Sequence, residues 1–222
     1  MKSCSDYRTE ALETIDGHWL EVAVMSLVVF IVAMVFSGFT SLVSAGQSLG
    51  WDISNTLVMT MDSVSTVITV LIVAPLEFAM FNTLLRMKRG VLNDAPIAEM
   101  FGLVKGDWSR YVVTYVAEFI IILLISIPTL GIGGIIFTYA YKMVPFLLHD
   151  YPELKPKEAL QLSREMMKGY KWDLFLLDLS FIGWALLAIL TCGIGLLWLM
   201  PYQYTAEAAF YEDLKAETVV EE

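Results

Sequence analysis

The sequence predicts an all-α fold: a polytopic transmembrane helical bundle of six spans, arranged as three helical hairpins with short interfacial amphipathic helices. Three observations predict it. Hydrophobic residues make up 57% of the 222 positions and charged residues only 17%, with a mean hydropathy of +0.65; ordinary soluble domains run at roughly 45–50% and 25%. The apolar residues gather into runs close to the roughly 20 that a bilayer core requires. The lysines and arginines gather into alternate loops, the bias that orients membrane proteins. The same composition excludes disorder, a collagen-like repeat and a disulfide scaffold. A formal net charge of −10 argues against nucleic-acid binding, which needs a basic face to displace counterions.

In chain order the expected spans are 19–46, 57–85, 111–128, 134–148, 172–190 and 196–213. Residues 1–18 carry Asp6, Arg8, Glu10, Glu13 and Asp16. The apolar run from Trp19 is too long for a signal-peptide core, so it is read as the first span rather than a cleavable leader. The last four spans pair around two short turns, Gly131-Ile-Gly-Gly134 and Gly193-Ile-Gly195. Reading 111–148 and 172–213 as single helices is disfavoured by Pro128 and the glycines. It also fails on length, since 1.5 Å per residue would overshoot a core of roughly 30 Å. With six spans all 14 basic residues fall on one side, and loops 47–56, 129–133 and 191–195 contain none. That side is expected to be cytoplasmic, with both termini. A four-span arrangement would also keep the termini inside.

A motif recurs before spans one, three and five: Gly17-His-Trp19, Gly106-Asp-Trp108 and Gly169-Tyr-Lys-Trp172. Each follows a short segment whose apolar positions fall on one helical stripe: Tyr7, Ala11, Leu12, Ile15; then Ile97, Met100, Phe101, Val104; then Ala159, Leu160, Leu162, Met166, Met167. Pro96 and Pro156 suit first-turn positions, the three glycines suit the residue past a helix end, and the tryptophans suit the headgroup level. Residues 118–133 and 180–195 also align without a gap, sharing Phe119/Phe181, Ile120/Ile182, Leu124/Leu186, Ile127/Ile189 and a Thr-x-Gly-Ile-Gly ending. The chain is therefore expected to be one integral membrane domain over 1–222, with repeat units of about 5–85, 96–152 and 156–214. Duplication that merely built a compact bundle explains these repeats as well as a transport role does.

The C-terminal third carries Met143-Val-Pro145, Asp150-Tyr-Pro152, Ser163-Arg-Glu-Met-Met-Lys-Gly169, Lys171-Trp172, Ser180-Phe-Ile-Gly-Trp184, Thr191-Cys-Gly-Ile-Gly195, Pro201-Tyr202 and Phe210-Tyr-Glu-Asp-Leu214. Together these resemble a bacterial integral membrane family labelled domain of unknown function nine-seven-five. The resemblance implies a multi-span protein of the cytoplasmic membrane and brings no activity, substrate or catalytic residue.

Ionisable groups inside spans are costly and are functional candidates by default. Glu77, Glu118, Lys142, Asp178 and Glu207 come from five different spans. Each is expected six to eight residues from the cytoplasmic end, about 9–12 Å deep. One ammonium cannot neutralise four carboxylates, so the rest need protons, water or a cation. The alternatives are a water-filled vestibule open to the cytoplasm, or ion pairs and snorkelling side chains that lock helices together. Pro75, Pro145 and Pro201 fall in the second helix of each hairpin and are candidate kinks. Each frees one carbonyl, for which Thr205 or Tyr202 could supply the donor near Pro201.

No zinc-protease, nucleophile-elbow or phosphate-loop motif occurs, and Cys4 and Cys192 have no metal-ligand spacing. His149 could serve as a base oriented by Asp150, but no nucleophile lies beside it in sequence. No cofactor, metal or catalytic residue is expected. The expected function is non-enzymatic: handling a small solute, lipid or peptide of unknown identity through a polar vestibule. The rival is a scaffold or assembly subunit without a ligand, and an intramembrane enzyme using Glu118 and Asp178 is a third alternative. Expected partners are the lipid bilayer and either partner proteins or further copies of the chain.

Overall fold

A computed structural model describes residues 2–92 and 95–220. Among the described residues there are helices and turns and no strand. In chain order they are α1 (Cys4–Ile15), α2 (Trp19–Ser48), α3 (Asn55–Ile68), a π-helical turn (Thr69–Val73), α4 (Ala74–Lys88), α5 (Pro96–Ser126), α6 (Ile132–Tyr141), α7 (Val144–Asp150), α8 (Pro156–Met166), α9 (Lys171–Leu179), α10 (Ile182–Leu190) and α11 (Leu196–Val220). Four stretches are long and apolar enough to cross a membrane: Asn55–Lys88, Pro96–Ser126, Ile132–Asp150 and Lys171–Leu190. A fifth joins α1 to Trp19–Val35 across a 98° bend. The last helix, α11, is the exception to the six-span pattern. It carries Gln203 and Glu207 in its middle and is surrounded by protein over 205–211.

The core lies where α4, α7 and α11 meet. Every residue of 78–85, 143–148 and 205–211 is buried. Phe81 stacks on Tyr204 at 4.1 Å, Phe146 stacks on Tyr211 at 5.0 Å, and Phe81 meets Phe146 edge-on at 5.6 Å. Outside this core the chain displays large apolar side chains continuously, among them Ile31, Met34, Phe119, Leu124, Leu186 and Ile189. A surface of that kind suits a lipid environment.

Each of the three tryptophan-bearing entries is a break between an amphipathic helix and a longer apolar stretch, which at the third entry is α9 with α10. Gly17 at φ 82° and Gly169 at φ 98° take the left-handed conformation that ends α1 and α8. The middle entry differs. Gly106 stays helical, and the break falls on Asp107 at φ −119° and ψ 16° inside α5. The amphipathic faces are buried largely as their periodicity predicts: Tyr7, Ala11 and Ile15 on α1, Met100 on α5, and Ala159, Leu160 and Met166 on α8. Leu12 and Phe101 are exposed instead, at 40% and 42%.

The two glycine turns share one hydrogen-bond pattern. Gly131 N donates to Ser126 O at 2.9 Å and Gly193 N to Ala188 O at 3.0 Å, the six-residue closure of a helix C-terminus. The hydroxyls of Thr129 and Thr191 then accept from Gly133 N and Gly195 N, both at 3.0 Å. Leu130 and Cys192, at φ 51° and 55°, precede Gly131 and Gly193 at 88° and 86°. Two consecutive left-handed residues reverse the chain in the shortest space. The second of each pair is glycine, which takes that conformation without steric cost.

The three prolines behave differently from one another. Pro75 follows the π-helical turn and removes the donor that would serve the Leu71 carbonyl four residues back. The indole N–H of Trp108 donates to that carbonyl instead, at 2.7 Å. Pro145 lies in the first turn of α7, just after a break at Lys142–Met143, where its missing N–H costs nothing. At that break the buried Ser163 hydroxyl, from α8, donates to Ala140 O at 2.8 Å. Pro201 sits inside an unbroken α11. Thr205 donates to the carbonyl of Pro201 itself at 2.7 Å. It therefore does not cap the carbonyl of Leu197 that the proline frees, contrary to the expectation above.

Candidate functional site

The five ionisable residues predicted to share a layer do not form one cluster. Three of them, with an amide not anticipated from sequence, do. Lys142 Nζ, at the α6–α7 break, lies 3.1 Å from Glu207 Oε1 on α11. Gln203, one turn before Glu207, donates from Nε2 to Asp178 Oδ1 at 3.1 Å and to Glu207 Oε1 at 3.4 Å. Asp178 lies against the Tyr139 hydroxyl and stands two residues before the break that separates α9 from α10. The cluster thus joins three pieces of chain at two interrupted helices.

Glu207 is the only one of the four acids that is sealed, with 0% of its side chain exposed, whereas Lys142 retains 24%. Glu207 Oε2 has no hydrogen-bond partner. Glu77, Glu118 and Asp178 are half-buried. Glu77 and Glu118 lie within electrostatic range of Lys142 but make no ion pair with it. Counting residues along a helix leaves direction around the axis open, and these two come near Lys142 without pairing with it.

Two amphipathic helices are anchored beside the cluster. Ser163 of α8 bonds to Ala140, two residues from Lys142. Arg8 of α1 donates to Ser180 O at 3.3 Å, two residues from Asp178. A half-buried tyrosine, Tyr204, stacks on Phe81 next to the same charges.

A second polar network closes the end of the bundle that carries the basic loops. Arg89 grips Asp150 with both terminal nitrogens, at 2.6 and 2.7 Å, and reaches Glu212 at 2.6 Å. Lys215 and the Tyr211 hydroxyl also donate to Asp150, at 2.6 and 2.9 Å. The Asp150 hydrogen bonds raise the Arg89 pKa above its ordinary value, against the opposing effect of burial. Glu10 on α1 bonds to Lys88, and to Lys2 at 3.0 Å. Burial works against the Glu10 charge, yet these two partners outweigh it and hold the carboxyl below its ordinary 4.5. Arg110 donates to the carbonyls of Leu148, Tyr151 and Leu154 at 2.6–2.9 Å and so caps α7. Because Arg89, Lys215 and Tyr211 occupy Asp150, the base–orienter pair with His149 is not formed.

Sequence reasoning missed Gln203, Arg89, Arg110 and the buried pair Asn82–Tyr111, in which Asn82 Nδ2 donates to the phenol at 3.1 Å. For Gln203 and Asn82 a signal was present: each is an amide within a run of apolar residues. For Arg89 and Arg110 none was, because a basic loop residue reads the same whether it caps a helix or faces solvent.

The family described as a protein of unknown function, DUF975, matches residues 97–218. The chain belongs to this family. The match covers more than half of the sequence, from the start of α5 through most of α11, and includes every member of the Lys142–Glu207–Gln203–Asp178 cluster. It leaves α1–α4 outside, with Glu77 and Arg89. Comparison with curated proteins and with solved structures finds no match to either.

Proposed function

We propose that this chain is a non-enzymatic, six-span protein of the bacterial cytoplasmic membrane. Both termini lie in the cytoplasm, and a small solute, lipid or peptide is handled through a polar vestibule facing that side. In this reading α2 with α3–α4, α5 with α6–α7, and α9–α10 with α11 are three hairpins of one repeated unit. The matching hydrogen bonds of the two glycine turns support the kinship of the last two. Although α11 is less apolar than the other spans, its stretch 205–211 is buried by its neighbours, which removes the need for an apolar surface there.

The observation that carries the vestibule is the state of Glu207. It is wholly buried, one oxygen is paired and the other is unmet. An unmet buried carboxylate oxygen is expensive and is a ready acceptor for a donor group that enters. Four carboxylates to one ammonium favour a cationic or donor-rich group. Helix breaks beside the cluster, at Lys142–Met143 and Ser180–Phe181, support the same reading, since irregular backbone at membrane depth is tolerated where protein or a water-filled cavity covers it.

A scaffold without a ligand is the second reading. The unbroken chain from Lys142 through Glu207 and Gln203 to Asp178 favours it, because those contacts also clamp helices. Single cysteines at 118 and 178, in a chain with Cys4 and Cys192 replaced by serine, separate the two. On inside-out vesicles a water-soluble thiol reagent modifies both within minutes if the vestibule is open. Protection of both sites contradicts the vestibule and leaves the clamp.

A further inference from the structure

Six of the cations at the basic end are committed. Arg89 and Lys215 hold Asp150, Lys88 and Lys2 hold Glu10, Arg86 holds Glu99 at 2.6 Å, and Arg110 caps α7. The corner formed by α8 and the start of α9 is different. Lys157, Arg164, Lys168 and Lys171 line one cavity of about 680 Å³, and none of the four has an ion-pair partner among the described residues. The one acid on its wall, Glu165, accepts from Gln161 at 2.8 Å, so the cavity keeps an excess of positive charge.

Its other wall is apolar. Ile121 of α5 and Leu160 line it, and Arg164 lies over the Phe137 ring of α6 at 5.6 Å. Ile121 and Phe137 belong to the α5–α6 hairpin, which goes on to expose Leu124 and Ile136 at 64% and 49%. A strongly cationic mouth therefore adjoins an apolar wall that continues along a lipid-facing hairpin. Free inorganic anions have no use for that wall, and an apolar ligand has none for the four cations.

We propose that this cavity is a binding site for one anionic phospholipid, its phosphate held among Arg164, Lys168, Lys157 and Lys171 and its acyl chains laid along the α5–α6 hairpin. The site rests on the membrane reading and is independent of the vestibule. Basic pockets between helices at the cytoplasmic surface suit anionic headgroups, and each cation there contributes about a fivefold gain in affinity.

The test uses the full chain in a neutral detergent, titrated with phosphatidylglycerol or phosphatidylcholine, with bound lipid counted by native mass spectrometry. Phosphatidylglycerol is expected to bind one to one, at least tenfold tighter than phosphatidylcholine. Arg164→Gln and Lys168→Gln should each weaken it about fivefold, and together about 25-fold. Lys105→Gln, an exposed cation away from the cavity, should leave affinity within about twofold. Lipid-free melting of all these variants should match the parent, since the substituted side chains are exposed. Equal affinity for the two lipids overturns the proposal. So does an equal loss in Lys105→Gln, which would reveal a diffuse field. Displacement of the lipid by millimolar inorganic phosphate would reveal a simple anion site and overturns it too. A chain that fails to enter lipid vesicles at all would instead refute the membrane reading beneath it.

Discussion

Replacing Lys142 with methionine is the sharpest perturbation of the buried cluster. The substitution keeps the length and apolar stem of the side chain and removes the ammonium 3.1 Å from Glu207. Glu207 has no exposed surface and already carries one unmet oxygen, so its remaining partner would be the Gln203 amide at 3.4 Å. Leaving a buried charge without its counter-ion costs roughly 3–5 kcal/mol. The reciprocal variant, Glu207→Gln, should cost less, about 1–3 kcal/mol, because Lys142 is partly exposed and can hydrate. In the double variant neither charge remains, so part of the summed loss is recovered, with a coupling energy of about 2–3 kcal/mol. The assay is equilibrium unfolding of the detergent-solubilised chain, run as a double-mutant cycle. A cost below about 1 kcal/mol for Lys142→Met, with no coupling, would refute the reasoning. Water or a proton would then already be neutralising Glu207.

Trp108→Phe removes the donor to the Leu71 carbonyl and should cost about 1–2 kcal/mol in melting stability; on a Pro75→Ala background, where a backbone N–H can replace it, the cost should shrink. Gly195→Ala places a Cβ 2.8 Å from the Ala188 Cα and should destabilise by about 1–3 kcal/mol, read as a lower melting temperature. Asp150→Asn breaks a carboxylate that is 5% exposed and bonded to Arg89 and Lys215, at about 3 kcal/mol or more; Glu212→Gln, a partly exposed partner of the same arginine, should cost under about 1 kcal/mol. The Glu10 carboxyl is held below its ordinary 4.5, so its contribution is complete above that pH and is lost as pH falls through the lowered folded value. Amide exchange in α1 should therefore quicken on acidification and be unaffected from neutrality upward.

The parts of this structure legible in sequence are those set by neighbouring residues. The Thr-x-Gly-Ile-Gly ending specifies its own turn because the threonine hydroxyl, the left-handed glycine and the closing carbonyl lie within eight residues. The stripes of α1 and α8 are legible because a helix buries one face at a fixed period. The middle entry was misplaced by one residue, since Gly106 and Asp107 can each end a helix turn. The candidate layer was legible as a set of residues and only partly in assembly. Lys142, Asp178 and Glu207 meet through Gln203, whereas Glu77 and Glu118 make no ion pair with Lys142, because direction around a helix depends on packing between helices far apart in the chain. The same limit hid Trp108 as the partner of Leu71 and Arg89 as the partner of Asp150 and Glu212.

The arrangement of spans can be tested without altering the chain, through its two free cysteines. Cys4 lies at the start of α1 and Cys192, exposed, in the turn between α10 and α11. With six spans they stand on opposite sides of the membrane. A membrane-impermeant maleimide added to spheroplasts should modify Cys192 alone, and Cys4 should react only after lysis. Modification of both from outside, or of neither until lysis, would place the two on one side and contradict the account.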